Sequence, residues 1–405
     1  DVTASYYAGG GLPNAPAQWS VTSRTGSYVP PGWDEFTFGR WVPWWRLWWS
    51  DSGRVSVETG RSFSGTTDAA GVHRLKLDFD AVVPAEPTSV HVEATVSDVN
   101  RQAWTGSTDL LVHPATLYVG LRTDRMFVER EEPLPVGIIV TDLDGKPVAG
   151  VDVQLTMARL EWTWQEDGYQ EQELKPQPCA VKSKTEPVTC TFETPEGGTY
   201  RIRATVVDEA GHPNLTELTR WVSGGERVPS RVVEQEDVTL VPDKKEHQPG
   251  ETAEILVQAP FYPAEGLLTL RRSGIVSSER FTMEGSSTTL RIPIEEGYTP
   301  NIIVQVDLVG AAERSGDAAA DPGSQPADAL PKRPAYARGE LTITIPPLSR
   351  TLNVQAVPAA EKVEPGGSTE LDVTVTDAQG NPIGGAELAV AVVDEAVLAL
   401  TGYDI

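Results

Sequence analysis

The sequence TDLDGKPVAGVDVQLTM, residues Thr141–Met157, has a close counterpart in TDAQGNPIGGAELAVAV, residues Thr376–Val392. In both copies a strand-like stretch ends in Thr-Asp, a turn closes on glycine, and a proline and a second glycine precede an alternating stretch. Glycine supplies the positive φ that tight turns require, and proline can begin a strand without donating a ladder hydrogen bond. The pair therefore predicts a strand–turn–strand unit that recurs along the chain.

A second element precedes both copies and consists of a charged strand, a proline-containing turn and an alternating strand. It appears as RTDRMFVEREEPLPVGIIV (Arg122–Val140), as PAAEKVEPGGSTELDVTV (Pro358–Val375) and as DKKEHQPGETAEILVQ (Asp243–Gln258). The 36 glycines and 32 prolines favour short strands and many turns. Repeats of about 110 residues with such alternation are typical of β-sandwiches. We therefore predict an all-β chain of tandem antiparallel, fibronectin- or immunoglobulin-like β-sandwich domains.

The repeats divide the chain into four predicted domains, at residues 1–115, 116–225, 226–349 and 350–405. We expect the first to lack its opening strand and to carry a tryptophan-rich insert, and the second to contain a disulfide. A flexible insert at 311–334, rich in Ala, Asp, Pro and Gly, interrupts the third, because it has too little apolar surface to offset its ordering entropy. The fourth is predicted to be truncated, so we expect the chain to be a segment of a larger protein.

Cys179 and Cys190 are the two cysteines of the chain and flank a charged, turn-rich stretch. A zinc site needs about four ligands, and no histidine is close in sequence. The spacing suits a hairpin whose ends meet. We predict a disulfide, with two free thiols as the alternative, and a disulfide would indicate an oxidising compartment such as a periplasm or the cell exterior.

The net charge of −25, from 33 basic and 58 acidic residues, argues against a nucleic-acid partner. It also argues against electrostatic adhesion to an anionic membrane. The sequence has no apolar stretch of about 18 residues, the length that a membrane-spanning helix requires. We therefore expect no nucleic-acid partner and no direct membrane contact.

Catalytic and cofactor-binding motifs are absent from the sequence. The five histidines are scattered, and no His-Glu-x-x-His, Gly-x-Ser-x-Gly or phosphate-binding glycine loop occurs. Asp142–Gly145 resembles the start of a calcium loop but lacks the later ligands, which favours a hairpin turn. We predict no enzyme activity, no cofactor and no metal.

The stretch WVPWWRLWW (Trp41–Trp49) holds five of the 11 tryptophans of the chain. Nine residues are too few to span a bilayer, and Pro43 prevents a regular helix. The rings could pack on a sandwich, form a partner-binding patch, or insert at a membrane interface. We favour packing, on the rings' own sandwich or on a neighbouring domain, with partner contact second. We predict that most of the five rings are substantially buried in the assembled protein. The candidate contact residues are Trp41, Trp44, Trp45, Trp48 and Trp49.

The last stretch, ELAVAVVDEAVLALTGYDI (Glu387–Ile405), resembles the alpha-2-macroglobulin family, in which a strand runs into Val-Val-Asp-Glu before an apolar segment. Four earlier stretches resemble the bacterial branch and occur in the order of that family. They are YYAGGGLPNAPAQWSV (Tyr6–Val21), FTFGRW (Phe36–Trp41), TPEGGTYRIRATVVDEAG (Thr194–Gly211) and PKRPAYARGELTITIPPLSR (Pro331–Arg350).

This resemblance implies a string of macroglobulin domains within a protein that traps proteases. In the family, a protease cuts an exposed bait region and the large protein collapses around it. The family's thioester motif, Cys-x-Glu-Gln, is absent here, and we expect the bait to follow Ile405. The resemblance further implies target proteases and other domains of the same chain as partners. It also implies a periplasmic or cell-envelope location, with a lipid-anchored parent protein.

The alternatives left open come from different functional classes. A scaffold segment of a protease inhibitor is favoured over binding modules of a surface adhesin, and an enzyme comes third. The insert at 311–334 could itself be a bait, because Arg314, Lys332 and Arg333 are sites for trypsin-like proteases. We prefer to interpret it as an exposed insert that proteases nick in any case.

Overall fold

A computed structural model describes most of the chain, namely residues 1–6, 9–46, 59–79, 85–165, 168–225, 236–312, 332–360, 362–363 and 366–391. Strands dominate these ranges, and their only helical elements are three one-turn 3-10 helices, at Trp44–Arg46, Glu296–Tyr298 and Leu348–Arg350. The prediction of an all-β fold is confirmed.

The first unit contains two sheets. In the smaller one, β1 (Val2–Thr3) pairs with β4 (Val72–His73). The larger has the order β3-β2-β5-β6, with β2 at Pro16–Thr25, β3 at Thr59–Thr66, β5 at Thr88–Ser97 and β6 at Ala103–Val112. Alternate residues of β2 and β5, including Trp19 and Val90, form its core.

The second unit is a sandwich of a three-stranded and a five-stranded sheet. The three-stranded sheet has the order β12-β9-β7, with β7 at Tyr118–Arg122, β9 at Leu134–Thr141 and β12 at Val188–Phe192. The five-stranded sheet has the order β11-β10-β13-β14-β8, with β8 at Phe127–Val128, β10 at Asp152–Gln165, β11 at Gly168–Lys182, β13 at Gly198–Val207 and β14 at Pro213–Val222. Both sheets contribute to one buried core, which includes Ile138, Leu155 and Ile202.

The third unit has the same two-sheet plan. Its three-stranded sheet has the order β16-β17-β20, with β16 at Thr239–Pro242, β17 at Thr252–Gln258 and β20 at Ser287–Pro293. Its five-stranded sheet has the order β15-β22-β21-β18-β19, with β15 at Glu236–Asp237, β18 at Ala264–Arg271, β19 at Ile275–Met283, β21 at Asn301–Ala312 and β22 at Arg333–Thr344. Ala312 pairs with Arg333, so the chain leaves and re-enters the sheet at one point around the predicted insert. Residues 313–331 of that insert lie outside the described ranges.

The second and third sandwiches share one strand order. Strands β9 to β14 correspond in sequence to β17 to β22, and each five-stranded sheet has one short parallel edge strand, β8 or β15. The larger sheet of the first unit repeats the order of β11, β10, β13 and β14. A final hairpin of β23 (Asn353–Pro358) and β24 (Leu371–Thr376) repeats the pairing of β7 with β9. Every strand falls inside one predicted domain range, while the boundaries themselves stay predictions.

Cys179 and Cys190 form a disulfide in the second sandwich. Cys179 lies on β11 of the five-stranded sheet and Cys190 lies on β12 of the three-stranded sheet. The bond therefore joins the two sheets across the core, whereas the sequence predicted the two ends of one hairpin. The side chain of Cys190 is buried, as an inter-sheet position requires.

The turn within Thr141–Met157 is built around the side chain of Asp142. Asp142 Oδ1 accepts hydrogen bonds from the backbone N–H groups of Asp144 (3.0 Å) and Lys146 (2.8 Å), and Gly145 closes the turn with a φ of 80°. In an Asx turn of this kind, a side-chain oxygen accepts hydrogen bonds from backbone N–H groups that have no backbone partner. Gly145 suits its position because glycine adopts a positive φ without strain. The same hydrogen bonds recur in four more turns of the described ranges, anchored by Asp68, Asp98, Asp208 and Asp377. Glycine takes the left-handed position in three of these turns, and Arg101 takes it in the Asp98 turn.

Asp208 is the buried member of this set, with its side chain 1% exposed. Beyond its own turn, its Oδ2 accepts from the N–H (3.0 Å) and Oγ1 (3.1 Å) of Thr116, 92 residues away. Burial opposes ionisation of the carboxyl, but the hydrogen bonds from Thr116 and His212 outweigh it and lower the pKa of Asp208 to about 2. This turn therefore ties the start of the second sandwich to its β13–β14 hairpin.

We predict that Asp208→Asn destabilises the second sandwich by about 2 kcal/mol at pH 7, because an amide leaves buried donors poorly paired. Since the folded pKa is lowered, the stabilisation by the carboxylate is present above pH about 4 and is lost as the pH falls towards about 2. Chemical denaturation from pH 7 to pH 2 measures this, and the wild-type advantage should shrink over that window.

Asp98→Asn is the matched control, because Asp98 anchors the same kind of turn on the exposed surface, and its carboxyl bonds only within that turn among the described residues. Equal costs for the two substitutions would show that the long-range bonds to Thr116 contribute nothing.

Candidate interdomain site

Residues 27–46, which we call the strap, leave the first unit after β2 and lie along the second sandwich. Thr37 exchanges backbone hydrogen bonds with Leu121 on β7, at 2.8 and 2.9 Å. Trp41 N–H donates to the Glu217 carbonyl at 2.9 Å, and Glu217 N–H donates to the Gly39 carbonyl at 3.0 Å. The strap therefore bonds to one strand of each sheet, β7 and β14, along the side of the sandwich.

The first half of the strap covers the Asp142 turn. Trp33 Nε1 donates to the Gly145 carbonyl at 2.8 Å, and Tyr28 Oη donates to the Leu143 carbonyl. A Cβ on Gly145 would lie 2.2 Å from the Pro31 carbonyl oxygen, so glycine there allows the two backbones to approach. The turn that recurs in the sequence is thus also a docking point for the strap.

The middle of the strap packs aromatic rings onto the three-stranded sheet. Phe36 and Phe38 are buried against Tyr118 and Ile139. A Cβ on Gly120 would lie 2.6 Å from the Phe38 ring, so this glycine makes room for the phenylalanine. Alternate strap residues therefore face the sheet in the way that an added strand would.

The end of the strap forms an aromatic cluster with Trp221 from β14, which we call the tryptophan junction. The ring centroid of Trp41 lies 5.7 Å from that of Trp45 and 6.1 Å from that of Trp221, while Trp45 lies 5.7 Å from Trp221. Trp44 packs edge-on against Trp45 at 4.5 Å. These distances fall in the range that stabilises aromatic pairs beyond their burial.

The tryptophan junction lies where the second and third sandwiches meet. Trp41 packs against the core of the second sandwich, and Trp45 packs against the core of the third. Both rings also contact a shared apolar cluster made by Phe127 and Trp221 of the second sandwich and Val241 and Leu256 of the third.

Polar contacts surround this shared cluster. Met126 N–H donates to the Asp243 carbonyl at 2.8 Å, and Gly224 N–H donates to Ser287 Oγ at 2.7 Å. An ion pair joins Arg125 to Glu254. The interface therefore has an apolar centre with polar groups around it, as stable protein interfaces do.

Arg220 lies beneath the strap, and its side chain is buried. Its guanidinium carbon lies 4.8 Å from the centroid of the Trp41 ring, and Nε donates to Thr123 Oγ1 at 2.5 Å. Its Nη1 donates to the carbonyl of Thr219 at 2.7 Å, and burial lowers the pKa of Arg220 to about 9. No carboxylate pairs with Arg220 in the described part of the chain, so the aromatic face of Trp41 is the main electron-rich group that faces this cation.

Of the predicted contact residues, Trp41, Trp44 and Trp45 are half-buried at this junction, and Trp48 and Trp49 lie outside the described residues. The sequence did not predict a contact role for Arg220, Trp221 or the aromatic residues that precede Trp41. The alternation of Phe36 and Phe38 with Thr37 and Gly39 was the available signal, since it resembles a strand with one apolar face. Across the described ranges, no cluster of acidic, histidine or cysteine side chains could hold a metal, and no helix has the length and hydrophobicity to cross a membrane.

The family model described as "Alpha-2-macroglobulin bait region domain" matches residues 238–400. A protein named "Alpha-2-macroglobulin homolog" from Nostoc sp. is 26% identical over all of this chain and over 21% of its own length. Both matches show that the chain is similar to proteins of the alpha-2-macroglobulin family. The resemblance noted in the sequence is confirmed.

Two further proteins are similar to this chain. "Circularly permutated Ras protein 2" from Dictyostelium discoideum is 22% identical over all of this chain but over only 11% of its own length. The native-conformation structure of Escherichia coli alpha-2-macroglobulin aligns with 98% of this chain and 25% of its own, at 19% identity and a TM-score of 0.38. The chain spans about a fifth of the length of the Nostoc relative.

We predict that Gly145→Ala releases the first half of the strap, because the new Cβ must displace the Pro31 carbonyl as well as adopt a positive φ. Limited chymotrypsin digestion followed by mass spectrometry should show faster cleavage after Tyr28 and Trp33, whose side chains bond to this turn. Gly380→Ala is the control, since Gly380 has a φ of 84° and a Cβ added to it would meet no atom within 4 Å. It should cost about 1–2 kcal/mol of backbone strain and leave cleavage after Tyr28 and Trp33 unchanged. Equal cleavage in both variants would contradict docking of the strap on the Asp142 turn.

Proposed function

We propose that this chain is a structural scaffold segment of a bacterial-type alpha-2-macroglobulin-like protease inhibitor and performs no catalysis itself. The proposal rests chiefly on one observation, the tryptophan junction, at which a strap from the first unit packs against the cores of both the second and the third sandwich. A protein that closes around a protease must hold its domains in a defined arrangement until it is cut. A junction that fixes three units together supplies such an arrangement.

The partners in this proposal are target proteases of the whole protein and other domains of the same chain. A periplasmic or cell-envelope location is supported by the disulfide between Cys179 and Cys190, which persists in oxidising compartments. We also propose that the parent protein is anchored by a lipid, on the family resemblance. Adhesin-like binding modules are the second candidate from the sequence, and no feature of the described loops favours them.

Protease trapping predicts a specific kinetic pattern for the full-length parent. Trypsin mixed with an excess of the parent should lose most of its activity on a large protein substrate and keep most of its activity on a small chromogenic peptide. The physical reason is that enclosure excludes large substrates while the active site stays free. Equal loss of both activities would indicate an active-site inhibitor, and no loss of either would reject inhibition.

The 405-residue chain alone is the control for that assay. It spans 21% of the Nostoc relative and should be too small to enclose a protease, so both trypsin activities should be unchanged in its presence. An inhibitory effect of this chain alone would contradict a purely structural role.

The insert at 311–334 has a separate test. It lies within the span that matches the bait region model, whereas the sequence analysis placed the bait after Ile405. We predict that trypsin cuts the native chain first in this insert, and that replacing Arg314, Lys332 and Arg333 by Gln removes this cut. Gel filtration of the cut parent then decides the role. An unchanged hydrodynamic radius supports a passive insert, and a large decrease shows that the insert is a bait.

A further inference from the structure

We propose that the strap and Arg220 form a latch, in which docking of the strap on the second sandwich is coupled to the contact between the second and third sandwiches. The latch is a property of this chain alone, so it does not depend on whether the parent inhibits proteases. It assigns to Arg220 the role of a positioning residue, which acts through Trp41.

Trp41 belongs both to the strap contact and to the contact between the sandwiches. Its backbone N–H holds the strap to Glu217 on β14, and its ring lies 6.1 Å from Trp221, centroid to centroid. Trp221 is 3% exposed and belongs to the apolar cluster shared with the third sandwich. A displacement of the Trp41 ring would therefore uncover Trp221 at the domain interface.

Arg220 and Trp41 stabilise each other through the contact between the guanidinium group and the indole ring. A buried guanidinium without a carboxylate is costly, and its remaining contacts are two hydrogen bonds and the Trp41 face. When the strap is docked, the ring covers the cation and is fixed by it. When the strap leaves, the cation regains water, which favours a fully docked or fully released strap over intermediate positions.

Two backbone hydrogen bonds connect Trp221 to the third sandwich through Met126. Trp221 N–H donates to the Met126 carbonyl at 3.2 Å, and Met126 N–H donates to the Asp243 carbonyl at 2.8 Å. Residue 126 is thus hydrogen-bonded to both sandwiches. The N–H groups of Trp41 and Met126 are natural reporters, the first for strap docking and the second for the contact between sandwiches.

Amide hydrogen exchange on the whole 405-residue chain tests the coupling. Arg220→Met keeps the volume of the side chain and removes its charge. We expect exchange at Trp41 and at Met126 to become at least tenfold faster, with no change at the β10–β13 ladder, which reports the fold of the second sandwich. Arg338→Met, a partly exposed site on β22 of the third sandwich, is the control and should change neither reporter. Faster exchange at Trp41 without a change at Met126 would overturn the coupling.

The reciprocal experiment perturbs the latch from the third sandwich. Leu256→Ala opens the shared cluster from the side of β17, and we expect at least fivefold faster exchange at Trp41, which lies on a different unit. Ile255→Val is the matched control, because Ile255 faces the core of the third sandwich and should leave Trp41 unchanged. If Arg220→Met also speeds exchange in the β10–β13 ladder, it has disturbed the second sandwich as a whole, and Leu256→Ala becomes the deciding variant. An unchanged exchange rate at the Trp41 amide in Leu256→Ala would then reject the latch.

Discussion

The structure depends on one constraint, which is that each sheet of alternating side chains has an apolar face that must be covered. In the second sandwich the cover is the three-stranded sheet, and the two faces share one core that excludes water from residues such as Val136, Ile138 and Ile202. The third sandwich repeats the solution with the same strand order. Burial of apolar area contributes roughly 25 cal/mol per Å² to the free energy of folding, so each covered face stabilises its sandwich strongly. The strap and the tryptophan junction determine how the covered units contact each other.

The strap extends this principle from sheets to domains. Its backbone satisfies free groups on β7 and β14, and its aromatic side chains cover surface that would otherwise face water. An added segment that pairs with an edge strand also removes a potential site of aggregation. Because the strap ends on the third sandwich, the same segment that covers the second sandwich positions its neighbour.

Charge has a local role in this acidic chain. Carboxylates anchor five turns among the described residues, and one of them, Asp208, is buried and bonded to Thr116 across 92 residues. Arg220 is the opposite case, a buried cation whose partners are neutral. Such a group stabilises less than a packed apolar residue would, so its presence at a domain junction points to a role in position and not in stability.

The sequence by itself determined the fold class, the repeat and the resemblance to a family, because alternation with period two, Asp-x-x-Gly turns and motif order are local properties of the chain. It identified two of the five Asp turns in the described ranges, since the turns at Asp68, Asp98 and Asp208 lack the following Pro-x-x-Gly that made the other two recognisable. It singled out Trp41, Trp44 and Trp45 but not Trp221 or Arg220, which are separated from them by more than 170 residues. Only the tertiary structure decided that Cys179 and Cys190 join two sheets, and that the strap crosses from one unit to two others. The physical reason is that contacts between distant segments depend on how packed surfaces fit together, and no pattern along the chain encodes that fit.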